Sequence, residues 1–267
     1  MRGFLSFLLD SLVPVSCVAC GRGIDGSGDP PPAEGVSAAG PAFDPGGLVH
    51  EPFAGIRMPA RVLCPACWRS LERSGADALL PVRDGAPAPL VSPFYTNDHL
   101  LALVRFLKFS GGRSAAPPLA WWMADALRRS LDRIGGLSAA EALLAPVPLH
   151  PRRLRERGYN QALLLARCVS RELGLPVEEG ALVRERDTKS QSKLGEDERA
   201  GNVRGAFALI RPDRVEGRGV VLVDDLVTSG GTARECLTAL LGAAPAWTAV
   251  LAAGRVGGGR HGPGTRA

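Results

Sequence analysis

Asp224 and Asp225 close the apolar run "GVVLVDD", and "LVTSGGT" follows at once. Paired carboxylates accept hydrogen bonds or hold a cation. The loop of Thr228, Ser229, Gly230, Gly231 and Thr232 does the opposite. It offers backbone N–H groups to an anion, and a helix starting there adds its positive end. Carboxylates repel a phosphate, so the two features belong together only if the aspartates take sugar hydroxyls attached to that phosphate, or keep a metal ion nearby. A ribose 5-phosphate meets both demands. A plain strand-to-helix turn with solvated aspartates accounts for "VDD" alone but poorly for the whole run. A P-loop requires Lys before the Ser/Thr, which is missing here. A receiver-type acidic pair would follow the first strand of its domain, not a late one. Thr232-Ala-Arg-Glu235 fits a capping box, so the helix is expected to start there.

Cys17 and Cys20, then Cys64 and Cys67, form two Cys-x-x-Cys pairs. Four thiolates so spaced suit one structural Zn²⁺, with each pair in a zinc-ribbon-like knuckle. The long insert between the pairs adds little closure entropy. Free core cysteines or a redox pair are the alternatives. Cys168 and Cys236 fall inside helical patterns and read as core.

These groups need elements to position them. "NDHLLALVRFLKF" is helical, with Asn97 or Asp98 as N-cap. "LAWWMADALRRSLDRI" has amphipathic spacing, which puts Trp121 and Trp122 in the core. From there the chain alternates: strand 141–149, helix 160–173, strand 181–186, strand 219–225, helix 232–243 and strand 247–254. Such alternation means an α/β domain with a mostly parallel sheet, whose ligands sit at the carboxyl ends of the strands. Residues 21–61 and 76–93 are rich in Gly, Pro and Ala. The first segment is expected to order poorly and the second reads as a linker. The expected organisation is a cysteine module over 1–75 with its insert at 21–61, an α/β domain over 94–254 and a disordered tail over 255–267.

The chain has 267 residues, 45% of them hydrophobic, enough for a real core, and a net charge of +5. That charge suits a phosphate-rich partner, nucleotide or nucleic acid, without separating the two. No apolar run reaches the ~18 residues of a membrane span. The opening "MRGFLSFLLDSLVPVSC" is interrupted by Asp10 and has a poor cleavage site, so an amphipathic helix is expected there rather than a signal peptide. A cytoplasmic compartment, with reduced cysteines free to bind metal, follows.

"VVLVDDLVTSGGT" resembles the phosphoribosyl pyrophosphate (PRPP) signature of type I phosphoribosyltransferases. Together with "PVPLHPRRLRERGYNQALLLA", "RDTKSQSKLGEDERAGNVRGAF" and the paired cysteines, it resembles the ComF family, competence proteins with an N-terminal double zinc ribbon. The resemblance covers nearly the whole chain apart from 21–61 and the tail. It implies the type I phosphoribosyltransferase fold, a parallel sheet flanked by helices. It makes Asp224 and Asp225 the catalytic, ribose-binding pair and puts the 5-phosphate on Thr228 to Thr232. His150 and the loop after it fall where the family contacts pyrophosphate, beside Arg152, Arg153, Arg155 and Arg157; a solvated basic turn is the alternative. Arg184, Lys189 and Arg199 lie in or beside the stretch where the family carries a mobile hood, and an ordinary exposed loop is the alternative there. Lys108 matches a position common in the family, or is a snorkelling surface lysine. A catalyst of this kind uses PRPP with Mg²⁺. A non-catalytic PRPP or nucleotide sensor binding single-stranded DNA or a protein partner is the rival reading, weakened by the lack of an aromatic-and-basic stripe.

Overall fold

The computed structural model describes residues 16–24, 62–75, 77–83, 85–109, 112–134, 142–186 and 204–257. The helix expected before Cys17, most of the 21–61 insert, the stretch 187–203 with Lys189 and Arg199, and the tail beyond Gly257 lie outside them. The chain divides into two compact units: Met1–Leu71 with Asn97–Pro118, and Glu72–Thr96 with Leu119–Ala267.

In the first unit, Val18 N–H donates to the Val62 carbonyl at 3.0 Å, tying the first cysteine pair to the second. Helix α1 (Pro65–Arg69) follows Cys64 directly, with proline in the first turn, where its missing N–H is harmless. Helix α2 (Asp98–Lys108) is capped by Asn97, whose side chain accepts from Leu100 N–H. The same side chain donates to the Ser70 carbonyl at 2.7 Å. Leu100, Leu103, Val104 and Leu107 form the buried stripe of α2, the i, i+3, i+4, i+7 spacing of an amphipathic helix.

The second unit is built on a sheet of order β1-β2-β8-β7-β4, with β3 also on β8: β1 (Ala78–Leu80), β2 (Ala88–Val91), β3 (Phe94–Tyr95), β4 (Ala142–Pro146), β7 (Gly219–Val227) and β8 (Trp247–Arg255). Only β1 runs antiparallel, against β2; β4, β7, β8, β2 and β3 pair in parallel. Val220 to Val223 are fully buried, as expected of a strand covered on both faces. A separate antiparallel pair joins β5 (Leu182–Arg184) to β6 (Phe207–Leu209). The helices of this unit are α3 (Ala116–Ile134), whose first turn begins in the other unit, α4 (Pro151–Arg157), α5 (Gln161–Leu173) and α6 (Gly231–Leu241).

Four sequence expectations need correction. Residues 76–93 are not a linker: they carry β1 and β2, strands too short to show a period of their own. The basic run after His150 is helix α4 rather than a loop, with Pro151 in its first turn. Trp121 and Trp122 are partly exposed, and the Arg73 guanidinium stacks 3.4 Å from the Trp122 ring centre. Finally, α6 starts at Gly231 with Gly230 as N-cap, and no side chain caps it, so the Thr232 capping box does not form. The Gly230–Gly231 turn enters the helix before Thr232 is reached. Cys168 and Cys236 are buried as expected.

Candidate functional site

Strand β7 continues two residues beyond the aspartates, so the pair lies within its last turn of pleat rather than at its end. Alternation along a strand sends neighbouring side chains to opposite faces. Asp225 goes to the α5 face, where it is 5% exposed and accepts a hydrogen bond from Gln161 Nε2 at 3.2 Å. Asp224 goes to the α6 face, half-buried, and its Oδ1 accepts from the Asp225 backbone N–H at 2.8 Å. The influence of Asp224 reaches the Cys236 thiol, which burial first, and then the Asp224 charge, push well above its ordinary value.

The loop then turns through Thr228 and Ser229 into Gly230, which adopts a left-handed φ of 76°. A Cβ there would sit 2.6 Å from Leu80 Cδ1. Arg234 reaches back from α6 and donates to the Ser229 carbonyl at 2.6 Å, fixing the loop on its helix. Asp224, Thr228, Gly230, Gly231 and Thr232 line one shallow hollow. At its base stands the uncapped start of α6, whose first N–H groups carry the helix's partial positive charge. Carboxylate and anion-seeking loop are therefore neighbours in space. A second cleft, of about 320 Å³, opens on the outer side of α6 between Pro81–Arg83 and Gly231, Arg234, Glu235 and Thr238.

His150 ends the loop after β4 and caps α4, its Nδ1 accepting from Arg152 N–H at 3.3 Å. That loop is bound to β7, with Val147 N–H on the Val223 carbonyl at 2.9 Å. Arg152 and Arg153 pair with Glu156 along the exposed side of α4. Arg184, at the end of β5, lies 5.3 Å over the Phe207 ring and within charge reach of Cys236, on the Asp224 side of the sheet. Lys108 is the last residue of α2, in the other unit. Gln161 was invisible to motif reading. The one signal it left was a long polar side chain on the otherwise apolar buried stripe of α5.

In the first unit, the sulfurs of Cys17, Cys20, Cys64 and Cys67 lie within 4.8 Å of one another, and Cys20 Sγ to Cys64 Sγ is 3.8 Å. A tetrahedron of thiolates ~2.3 Å from a central ion has edges of roughly 3.8 Å, so the four could hold one metal ion. Their protons compete. Burial opposes ionisation of Cys17, yet hydrogen bonds from the backbone of Cys64, Cys20 and Ala19 bring it down to about 6. Burial and the other three thiols push Cys67 the other way, well above its ordinary value. Such a cluster favours one thiolate over four unless a cation neutralises them.

A mostly parallel sheet flanked by helices, with an acidic pair, a glycine turn and a helix start at the carboxyl end of β7, has the type I phosphoribosyltransferase fold, here joined to a four-cysteine module. No family model matches the chain. It is 37% identical over 176 residues, 66% of its own length and 71% of the relative's, to the DNA utilization protein YhgH of Escherichia coli O157:H7. It is 38% identical over 108 residues, 40% of this chain and 47% of the relative, to Competence protein F of Haemophilus influenzae. The chain belongs to the ComF family of competence and DNA-utilization proteins. Among solved structures, a glutamine PRPP amidotransferase from B. subtilis complexed with ADP and GMP aligns at a TM-score of 0.36 and 22% identity, over 55% of this chain and 30% of that one. Among the described residues, no helix is long and apolar enough to cross a membrane.

Proposed function

We propose that this protein binds PRPP at the carboxyl end of β7 and transfers its phosphoribosyl group to a nucleophilic acceptor. The observation that supports this reading is the juxtaposition of Asp224 with the uncapped, glycine-opened start of α6, with Asp225 next to it on the other face of the same strand end. In this reading the 5-phosphate takes the N–H groups and hydroxyls of Thr228 to Thr232, while the carboxylates accept from the ribose hydroxyls. The bond from C1 to the pyrophosphate oxygen breaks, a bond from C1 to the acceptor forms, and pyrophosphate leaves. Positive charge develops on the ribose ring as the leaving group departs. The carboxylates Asp224 and Asp225 stabilise that charge from fixed positions, with no covalent enzyme intermediate needed. Mg²⁺ arriving with the substrate would supply charge neutralisation to the leaving group. His150 and the backbone after β4 contact that diphosphate, and Arg184, Lys189 and Arg199 add positive charge around it. Zn²⁺ on Cys17, Cys20, Cys64 and Cys67 is structural and holds the N-terminal module together.

The names of the relatives tie two of them to DNA utilization and competence. We accordingly place the activity in the handling of nucleotides or bases derived from DNA. A non-catalytic use of the same pocket, as a PRPP or nucleotide sensor acting with single-stranded DNA or a protein partner, predicts ligand binding without turnover. Pyrophosphate release measured with PRPP, Mg²⁺ and a panel of free bases separates the two. Release dependent on one base supports the transferase. Tight PRPP binding with no release across the panel supports the sensor.

A further inference from the structure

Gln161 opens helix α5 and lies on its buried face, 4% exposed, in a stripe otherwise made of Ala162, Leu165, Ala166, Cys168 and Val169. Helix packing alone gives no reason for an amide there. Its Nε2 donates to Asp225 Oδ2 at 3.2 Å, across 64 positions of sequence. Among the described residues, its Oε1 is buried without a hydrogen-bond partner. An interior acceptor left unmet destabilises a fold, whereas an apolar side chain of the same length would fill the space freely. The amide is thus unfavourable for stability at one end and engaged with a site carboxylate at the other.

The neighbouring residue fixes its approach. Asn160 caps α5 through Oδ1, accepting from Ala162 and Leu163 N–H. Its Nδ2 donates to the Val147 carbonyl at 3.0 Å. Val147 N–H in turn donates to the Val223 carbonyl at 2.9 Å. A ring of contacts therefore leaves β7 at Val223, passes through Val147, Asn160 and Gln161, and returns to β7 at Asp225. The two attachment points, one main-chain and one side-chain, are two residues apart on the strand. The cap and the Val147 tether fix the start of α5 against β7, so the Gln161 amide meets the carboxylate from a fixed position.

We infer that Gln161 is a positioning residue, which holds the Asp225 carboxylate in the orientation that accepts the ribose hydroxyls. The inference rests on the phosphoribosyl reading of the site. It separates the sugar half of the ligand from the phosphate half: Gln161 serves the first and leaves the second to the loop before α6.

The test uses Gln161→Met, which keeps length and removes the donor, and Gln161→Glu, which keeps shape and sets a carboxyl group against Asp225. Calorimetric titration with PRPP and Mg²⁺ should show Met weakening binding by about tenfold, the worth of one hydrogen bond to a charged group, and Glu weakening it at least as much. Inorganic phosphate should bind all three proteins within about twofold. A merely structural role would lower both ligands together, and that result overturns the inference. So does a Gln161→Met protein that binds PRPP as the parent does. Should that variant fail to fold, the side-chain amide resonances of Gln161 in the parent decide: they must shift on PRPP binding and stay put with phosphate, and the absence of that difference overturns the proposal. A parent that binds phosphate but not PRPP refutes the phosphoribosyl reading, and this inference with it. A parent that binds PRPP beside an indifferent Gln161→Met refutes the inference alone.

Discussion

Replacing Gly230 with Ala perturbs the site through a single methyl group. Two effects add. Gly230 sits at φ 76°, a left-handed conformation that is unfavourable for an L-residue with a Cβ by about 1–2 kcal/mol. The new Cβ would also lie 2.6 Å from Leu80 Cδ1, where carbon atoms prefer about 3.5–4.0 Å. Leu80 is only 6% exposed, so it must leave its rotamer well or push its neighbours, at about 0.5–1.5 kcal/mol. The sum is about 1.5–3.5 kcal/mol, which lowers the melting temperature of a domain this size by roughly 3–14 °C. Thermal melts of Gly230→Ala, Leu80→Ala and the double variant isolate the parts. The double variant recovers the packing effect and leaves the backbone effect, giving a coupling of about 1 kcal/mol between the sites. Inorganic phosphate titration gives the functional half: relief of strain by rotating the turn moves the first N–H groups of α6, and affinity should fall at least about tenfold. A Gly230→Ala protein that melts with the parent refutes the conformational argument. One that is destabilised yet binds phosphate as before refutes the role of this turn in anion binding.

Purified protein should carry about one zinc per chain, and Cys64→Ser should lose it along with the stability of the first unit; metal-free protein that stays fully folded would contradict this. Zinc retention should fall as pH drops, because protons compete for the four sulfurs, and retention unchanged at pH 4 would count against thiolate ligation. Asn160→Ala removes both the α5 cap and the tether to Val147, and should destabilise the protein by about 1–2 kcal/mol in chemical denaturation; an unchanged midpoint would mean the cap is dispensable.

The elements that announced themselves in the sequence were those with long apolar patterns or explicit caps. Strand β7 is a continuous apolar run, α5 is opened by Asn160 and followed by Gly174, and α2 is opened by Asn97. The four cysteines announced their cluster by spacing alone. Strands β1 and β2 did not, because three or four residues among prolines carry no period. The start of α6 was misjudged because Thr232 and Glu235 have capping-box types while the backbone has already entered the helix at Gly231. The aspartates were legible as a pair but not as residues facing opposite sides of the sheet, since the strand was expected to end at them. Gln161 depends on a contact made by the fold between positions 64 apart, and no local pattern encodes it.

In the proposed site Asp225 serves a sugar while the Thr228–Thr232 loop serves its phosphate. Calorimetric titration of the parent and Asp225→Asn, each with PRPP plus Mg²⁺ and with inorganic phosphate, tests it most directly. Asn keeps the shape of Asp and removes the charge, so one or more charge-assisted bonds of about 1.5–3 kcal/mol are weakened. PRPP affinity should fall by about tenfold to a hundredfold, with phosphate bound as before or slightly tighter. Loss of both ligands together in Asp225→Asn would contradict the division, and a parent that binds neither ligand would contradict the phosphoribosyl site itself.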